Sequence, residues 1–286
     1  MIRKMILFGI ILLFFLNPKL SYSESSEIPV TVTMDYDFLS FEESSPKIIS
    51  GVTLVPVRPL LEKLGYNLEW YGEGLTVRAT KSGTSILMKI NEPNAQVNEK
   101  SLNLEVPPQI LNNVTYVPLR FISEISGADV YWNPKNNNTS DHSIEILIDA
   151  NAKLYRAIII KDKQAVSKLL LQGANPNART HTGKTLLETA VIFYKDVDIV
   201  KLLLEAGGDP NQTSSFPNGG SLLHTAASGT TPELVKLLLE YGAKKDIKDG
   251  EGNTPLQIAR SQYENPYIRQ WAKDIYKEII DILEER

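Results

Sequence analysis

Hydrophobic positions in the second half of the chain recur at offsets of 34 and 35 residues. Three segments begin with Val, contain a Leu-Leu pair and end with Gly: 166–173, 200–207 and 235–242. Stretches that join a glycine turn to apolar residues and alanine lie at 183–190, 219–226 and 252–259. Each period predicts a glycine turn, a short inner helix and an outer helix that ends at glycine. Because one such unit cannot bury its apolar face alone, neighbouring units must stack.

This pattern resembles the ankyrin repeat. Gly173-Ala-Asn-Pro-Asn177 and Gly207-Gly-Asp-Pro-Asn211 are similar to the loop that closes each repeat of that family. The resemblance is strong over residues 181–250 and partial on either side. It implies an all-α ankyrin-like helical repeat array over residues 151–286, with about four repeats and a C-terminal capping helix. Such an array presents turn tips and inner helices as a surface for a protein partner.

We expect the partner contacts at the turn tips, because tips make few contacts within the array and are free to vary. The candidate residues are Thr182, Lys184, Phe216, Asn218, Lys248, Glu251 and Asn253. Phe216 is the large apolar residue on a predicted tip, so it is either the anchor of the interface or packed back onto its own repeat. His224 is expected to hold a turn by hydrogen bonds, since Glu188 and Gln257 occupy the equivalent positions.

The first half of the chain contains an internal duplication. Residues 46–70 and 108–132 share Pro, Val-Pro, Arg, Glu, Gly and Trp at a constant offset of 62. Each copy predicts a β-branched strand, a helix of about two turns and two further strands, with a left-handed glycine closing the helix. Residues 24–150 are therefore predicted to form a duplicated α+β domain with an antiparallel sheet and one short helix per half.

The doubled Val-Pro-x-Arg…Gly…Trp pattern resembles the copper amine oxidase N-terminal-like domain, also called a stalk domain. The resemblance covers the region 24–150 and implies an extracellular accessory module without the oxidase chemistry. That chemistry needs histidine ligands and a modified tyrosine in a separate catalytic domain, and this sequence has no His-x-His pair.

Two arginines in the repeated unit have two interpretations. Arg58 and Arg120 either form symmetric anion or glycan sites, or each pairs with the glutamate four residues later, Glu62 or Glu124, at the strand–helix corner. The shared offset of arginine and glutamate favours the structural role. Replacing either arginine by alanine is then expected to lower stability by a similar amount in the two halves. Trp70 and Trp132 are interpreted as core residues rather than sugar platforms.

Composition narrows the possible functions. Hydrophobic residues make up 42% and charged residues 22%, as in a folded chain, and the net charge of −4 does not favour nucleic acid. The chain has no cysteine and three histidines, which is a poor inventory for a metal site or a catalytic nucleophile. We therefore expect no cofactor, no metal and no catalytic residues, and interpret the protein as a non-enzyme.

The first 23 residues predict a signal peptide. Arg3 and Lys4 precede an apolar run that ends at Leu16, and small residues flank Tyr22. The run reaches only about 18 Å as a helix, short of the ~30 Å hydrocarbon layer, and retention as a membrane anchor is the alternative. A cysteine-free exported chain fits a bacterial envelope or secretion better than an animal secretory route.

Two functions follow from this organisation. The first is a secreted, non-catalytic protein-binding module, in which the array engages a protein partner and the N-terminal domain serves as a spacer or anchor at the envelope. The alternative is a protein that binds cell-wall carbohydrate through its N-terminal domain and uses the array as a spacer.

Overall fold

The computed structural model describes residues 30–41, 44–72, 75–134, 142–180, 182–212 and 219–285. The predicted signal peptide and the tip residues Phe216 and Asn218 lie outside these ranges. Within the described ranges no helix combines the length and the apolar composition needed to cross a bilayer.

The strands, in chain order, are β1 Val30–Met34, β2 Asp37–Phe38, β3 Lys47–Ile49, β4 Val52–Pro56, β5 Asn67–Tyr71, β6 Thr76–Lys81, β7 Thr84–Lys89, β8 Asn94–Val97, β9 Lys100–Asn103, β10 Gln109–Leu111, β11 Val114–Pro118, β12 Asp129–Asn133 and β13 His142–Leu147.

The helices are α1 Val57–Lys63, α2 Leu119–Ile125, α3 Ala150–Ile159, α4 Lys163–Leu171, α5 Leu186–Thr189, α6 Val197–Glu205, α7 Leu222–Ser228, α8 Pro232–Glu240, α9 Pro255–Glu264 and α10 Gln270–Glu284. A π-helix over Ala190–Tyr194 continues α5.

The described residues divide into two compact units. Residues within 43–119 form the first, and residues within 30–42 and 120–286 form the second. The domain boundaries predicted at residues 24, 150 and 151 stay a prediction.

The first unit contains two antiparallel sheets. In the sheet of order β10-β11-β4-β3, the equivalent strands of the two copies pair at the centre, with Val117 opposite Val55. Leu54 and Tyr116 are fully buried there, and the Tyr116 hydroxyl donates to the Ser45 carbonyl at 3.0 Å. The second sheet is the meander β5-β6-β7-β8-β9. Helix α1 is followed by Gly65, whose φ of 80° is the left-handed cap that the sequence predicts.

The second unit begins with a sheet of order β12-β13-β1-β2. β1 runs parallel to β13, with Val32 opposite Ile144, and this parallel pair corrects the expectation of purely antiparallel pairing. β13 leads directly into α3, because the carboxylate of Asp149 caps that helix by accepting from the backbone N–H groups of Asn151 and Ala152.

The rest of the second unit is a stacked helical array. The outer helices α4, α6 and α8 pack in succession, and the π-helix, α7 and α9 do the same on the inner side. A continuous core of Leu, Val, Ile and Ala side chains runs between the two layers, and α10 packs on α8 and α9 at the end. The predicted fold class, a sheet-rich α+β region with short helices followed by an all-α repeat array, is confirmed.

Candidate partner-binding surface

The first described turn tip is a short hydrogen-bonded loop before α5. The Thr180 N–H donates to the Lys184 carbonyl at 2.7 Å, and Gly183 closes the turn at a φ of 82°. Thr182 is exposed at the tip, where its hydroxyl lies 2.8 Å from the Thr180 hydroxyl. Lys184 leaves the tip and extends along the inner helix. This tip therefore places Thr182 at the surface and leaves Lys184 partly exposed.

The second described tip, 248–253, is held by Asp249. The Asp249 carboxylate accepts from the backbone N–H groups of Glu251 at 3.0 Å and Asn253 at 2.9 Å. Hydrogen bonding from the Asn253 backbone lowers the pKa of Asp249 below its ordinary value. Lys248 and Glu251 are exposed, whereas Asn253 is half-buried and its backbone is committed to the turn.

His224 joins two neighbouring repeats. Its Nδ1 accepts from the backbone N–H of Ser221 at 3.0 Å, so the proton lies on Nε2, which donates to the Asn253 carbonyl at 3.0 Å. The ring is 6% exposed. The geometry gives this histidine a structural role in the turn and no free ring nitrogen for catalysis.

The residues equivalent to His224 form the same cap at the start of their own inner helices. The Glu188 carboxylate accepts from the Thr185 N–H at 3.3 Å, and the Gln257 side-chain oxygen accepts from the Thr254 N–H at 2.8 Å. Each is the third residue of its inner helix in a capping box. Histidine, glutamate and glutamine can replace one another here because each offers one acceptor to the same backbone donor.

The inner face of the array carries an exposed aromatic residue that the sequence analysis missed. Phe193, in the π-helix, is 57% exposed, and the ammonium group of Lys184 lies 4.3 Å from its ring centroid. Lys195 follows in the left-handed conformation with a φ of 44°. We call Lys184, Phe193 and Lys195 the inner-helix patch. The signal in the sequence is one extra residue between Thr185 and Asp196, compared with Ser221 to Thr231.

Asparagines of the closing loops connect consecutive repeats. The Asn177 side-chain amide donates to the Gly207 carbonyl at 2.9 Å, and its oxygen accepts from the Asp209 N–H at 2.9 Å. Asn211 makes the same pair of bonds to Gly242 and Lys244 one repeat later. These loops are thus committed to stacking one repeat on the next.

Two family models match this chain. Residues 34–140 match the copper amine oxidase N-terminal domain, and residues 187–269 match ankyrin repeats in three copies. The chain carries a copper amine oxidase N-terminal domain followed by ankyrin repeats. Ankyrin repeats indicate a protein-binding module.

Curated relatives are similar to this chain over less than half or about half of its length. It is 34% identical to the E3 ubiquitin-protein ligase Ufd4 of Drosophila melanogaster over 46% of this chain and 4% of the ligase. It is 33% identical to the putative E3 ubiquitin-protein ligase XBAT34 of Arabidopsis thaliana over 41% of this chain and 31% of that protein. The cyclin-dependent kinase inhibitor 2A of Monodelphis domestica is 26% identical over 52% of this chain and 82% of the inhibitor. The chain thus spans less than a third of the first two relatives.

The paired arginines of the copper amine oxidase N-terminal domain have different surroundings. Arg58 Nη1 lies 3.1 Å from Glu62 Oε1, and the guanidinium lies 4.5 Å from the centroid of the Trp70 ring. The ion pair is exposed, with 60% and 53% of the two side chains accessible. Arg120 and Glu124 are also exposed, and no ion pair joins these two residues in the part of the chain that the structure describes. The expected symmetry of the two corners is therefore absent.

The two tryptophans also differ. Trp70 is half-buried under Arg58, whereas Trp132 is 42% exposed and stacks on His142 with a centroid distance of 5.3 Å. The exposure of Trp132 does not agree with the core role that its sequence position suggested. Over the described ranges no group of three or more His, Cys, Asp and Glu side chains is arranged to hold a metal ion.

Proposed function

We propose that this chain is a non-catalytic binding protein of the bacterial cell envelope or the secreted fraction, in which the ankyrin array engages a protein partner. The observation that carries the proposal is that the helices and closing loops of the array are used in packing, whereas the turn tips are exposed. Leucines and alanines of the helices are buried in the core, and the closing loops bond to one another. Thr182, Lys248 and Glu251 stay exposed on tips whose backbones are fixed by hydrogen bonds. A rigid exposed tip loses little entropy on binding, which favours recognition at this surface.

The copper amine oxidase N-terminal domain acts in this proposal as a spacer or anchor at the envelope. The predicted signal sequence supports export. Within the second unit, the Asp149 cap leaves no free linker between β13 and the first helix of the array. The role of His224 in the turn and the paired carboxylate of Glu188 support the assignment as a non-enzyme.

We do not propose for this chain the ubiquitin-ligase activity after which two of its relatives are named. The alignment covers only 4% of Ufd4 and 31% of XBAT34. We therefore propose protein binding through the ankyrin repeats, and not ubiquitin transfer, for this chain.

The test is retention of a protein by the immobilised full chain from an envelope extract of the source cells. A tip variant, Lys184→Glu with Lys248→Glu, is compared with wild type and with the outer-helix control Leu171→Ser, whose side chain is 87% exposed. We expect one protein to be retained by wild type and by the control but not by the tip variant. All three chains must show the same thermal unfolding.

A second arm tests the carbohydrate alternative and the location. Sedimentation of the full chain with purified wall polysaccharide, together with no protein retained from the extract, would contradict protein binding. Finding the chain only in the cytoplasmic fraction, with Met1 still attached by intact-mass measurement, would contradict export.

A further inference from the structure

We propose that the inner-helix patch of Lys184, Phe193 and Lys195 is the recognition site for an acidic peptide segment that carries an apolar side chain. This inference rests on the proposed protein-binding function and names the partner chemistry for one face of the array. The patch lies wholly within the second unit.

The first observation is an insertion in the inner helix. The interval between the N-caps of the inner and outer helices is one residue longer in this repeat than in the next. The extra residue is accommodated as a π-helix over Ala190–Tyr194, a conformation that is rare and occurs frequently at functional sites.

The second observation is the exposure that the insertion creates. Eight residues after the N-cap, this repeat has Phe193 and the next repeat has Gly229. The phenylalanine ring is more than half exposed, although an apolar residue would gain free energy by burial in the core. A π-helix and an exposed aromatic ring both cost stability, and they occur together at one place on the inner face.

The third observation is the charge around the ring. Lys184 lies over Phe193 from the tip side, and Lys195 reaches toward Gly229, where an added Cβ would lie 3.8 Å from the lysine Nζ. Within the described part of the chain, the ammonium group of Lys184 makes no ion pair and no hydrogen bond, so its three donors are available to a carboxylate.

The acidic side chains that follow the patch in sequence, Asp196 and Asp198, lie beside the ammonium group of Lys163 and pair with it. Residues 178–195 contain one acidic side chain, Glu188, which is 1% exposed and sits in its capping box. The adjoining inner segment, 219–231, contains no Asp or Glu. The inner face of these two repeats is therefore basic and apolar, in a chain whose net charge is −4.

These features select the partner. A partner side chain that covers Phe193 removes its ring from water, and a carboxylate beside it pairs with Lys184 or Lys195 as the site loses solvent. A basic segment would bring like charges together at a patch that is already cationic. The fitting ligand is thus a peptide with Asp or Glu next to an aromatic or aliphatic residue.

The experiment selects random linear peptides displayed on phage against the immobilised full chain. Selected sequences are then synthesised, and their dissociation constants are measured by fluorescence anisotropy with wild type, Phe193→Ala, Lys184→Gln, Lys184→Glu and the control Leu171→Ala. Leu171 is matched to Phe193 as an exposed apolar residue but lies on an outer helix. Thermal unfolding of each variant is recorded beside the binding.

We expect the selected peptides to be enriched in Asp and Glu beside Phe, Trp or Leu. Phe193→Ala should weaken their binding roughly tenfold or more, and Lys184→Gln by about three- to tenfold with a smaller dependence on salt. Leu171→Ala should change nothing. Lys184→Glu should shift a repeated selection toward basic peptides, which tests the site even if Phe193→Ala were to lower the unfolding temperature.

Peptides without acidic enrichment, a failure to select any peptide, or binding unaffected by the Phe193 and Lys184 variants would each overturn the inference. The extract experiment separates this failure from that of the proposed function. A protein retained equally by wild type and Phe193→Ala would show that the array binds proteins at another surface. Retention of no protein would count against the proposed function itself.

Discussion

Replacing Tyr36 by phenylalanine tests how the hairpin β1–β2 is joined to the start of the ankyrin array. Asp35 and Tyr36 form the two-residue turn of this hairpin, with φ values of 46° and 78°. Both are in the left-handed region, where a tyrosine costs about 1–2 kcal/mol relative to glycine. Two interactions offset that cost. Asp35 Oδ1 accepts from the Ile148 N–H at 2.8 Å, and the Tyr36 hydroxyl donates to the Ala152 carbonyl at 2.6 Å.

The magnitude at neutral pH follows from the hydrogen bond to the Ala152 carbonyl that the variant loses. The phenylalanine ring of the variant keeps the edge-on contact with Tyr155, whose centroid lies 5.2 Å from that of Tyr36 in the native chain. Loss of the bond to Ala152 should therefore lower the free energy of unfolding by roughly 1 kcal/mol. Because both residues belong to the second unit, the effect should appear in the unfolding of the helical array.

The pH dependence provides a sharper test. Burial, and secondarily the negative charge of Glu145, raises the pKa of Tyr36 above its ordinary value. The unfolded tyrosine ionises near pH 10, while the folded one stays neutral to higher pH. The stabilisation from Tyr36 is therefore fully present below about pH 10 and is lost as the pH rises through the unfolded pKa toward the folded one. Between about pH 8 and 11, wild type should lose up to about 1.4 kcal/mol relative to the variant, and less to the extent that water reaches the partly buried Tyr36 side chain.

The assay is urea unfolding followed by circular dichroism at the helix band, at about pH 8 and at steps up to about pH 11. We expect wild type to be more stable at the lower pH and the two chains to become equal near the upper limit. Tyr267→Phe is the control, since Tyr267 is 92% exposed and the same change there should have no effect at any pH. A difference between wild type and Tyr36→Phe that does not change with pH would refute the reasoning, as would equal stability at about pH 8.

Three further predictions use urea unfolding in the same way. Arg58→Ala should cost about 1 kcal/mol through its exposed ion pair and its contact with Trp70, and more than Arg120→Ala; equal costs would restore the symmetry that the sequence suggested. His224→Gln should keep the helix cap, as Gln257 does, and lose only the bond to Asn253, which lowers the free energy of unfolding by about 1 kcal/mol. His224→Ala should also lose the cap and cost roughly 1–2 kcal/mol more. Equal losses for the two variants would contradict separate roles in the cap and in the bond between repeats. Asn177→Ala should cost about 1–3 kcal/mol by removing its bonds to Gly207, Asp209 and Gln212 of the next closing loop, and an unchanged midpoint would show that these bonds contribute nothing net.

The duplicated unit shows what a sequence repeat can and cannot predict. The 62-residue offset predicts equivalent strands and helices, and the equivalent strands β4 and β11 lie side by side. It does not predict the partner of β13, because β1 lies outside the repeated segment. In the first copy β6 pairs with β7 through a hairpin. In the second copy β13 leads into α3, so the neighbouring strand comes from residues 30–34 and runs parallel.

Side-chain surroundings are less predictable than element order. The two tryptophans have equivalent places in the repeat, but different side chains lie against them. Trp70 lies under Arg58, and Trp132 stacks on His142, which has no counterpart in the motif. Identical residues at a constant offset predict equivalent backbone positions, but they do not predict how far each side chain is buried.

A departure from the ankyrin pattern also acquires a role in the structure. In the third closing loop, Lys245 stands where the first two closing loops have Pro176 and Pro210. Its ammonium group donates to the Leu283 carbonyl at 3.2 Å and the Glu285 carbonyl at 2.6 Å, at the end of α10. A cation there satisfies carbonyls that a helix end leaves unpaired. Sequence analysis missed it because the contact joins residues far apart in the chain.

The first repeat has no glycine turn before its inner helix α3, unlike the repeats that begin at residues 183, 219 and 252. The residues around the start of α3 supply the helix cap and the packing contacts in place of that turn. Asp149 caps the helix, Lys153 Nζ lies 3.1 Å from Asp129 Oδ2, and Arg156 pairs with Glu145 while its guanidinium lies 3.9 Å from the Tyr131 ring centroid. Because Asp129, Tyr131 and Glu145 belong to the adjoining sheet strands, that sheet covers the exposed side of the first repeat. Terminal repeats need such a cover to remain soluble. The sheet β12-β13-β1-β2 therefore stabilises the array as well as preceding it. The π-helix that carries Phe193 of the inner-helix patch packs directly on α3, so the patch belongs to the same unit as this sheet.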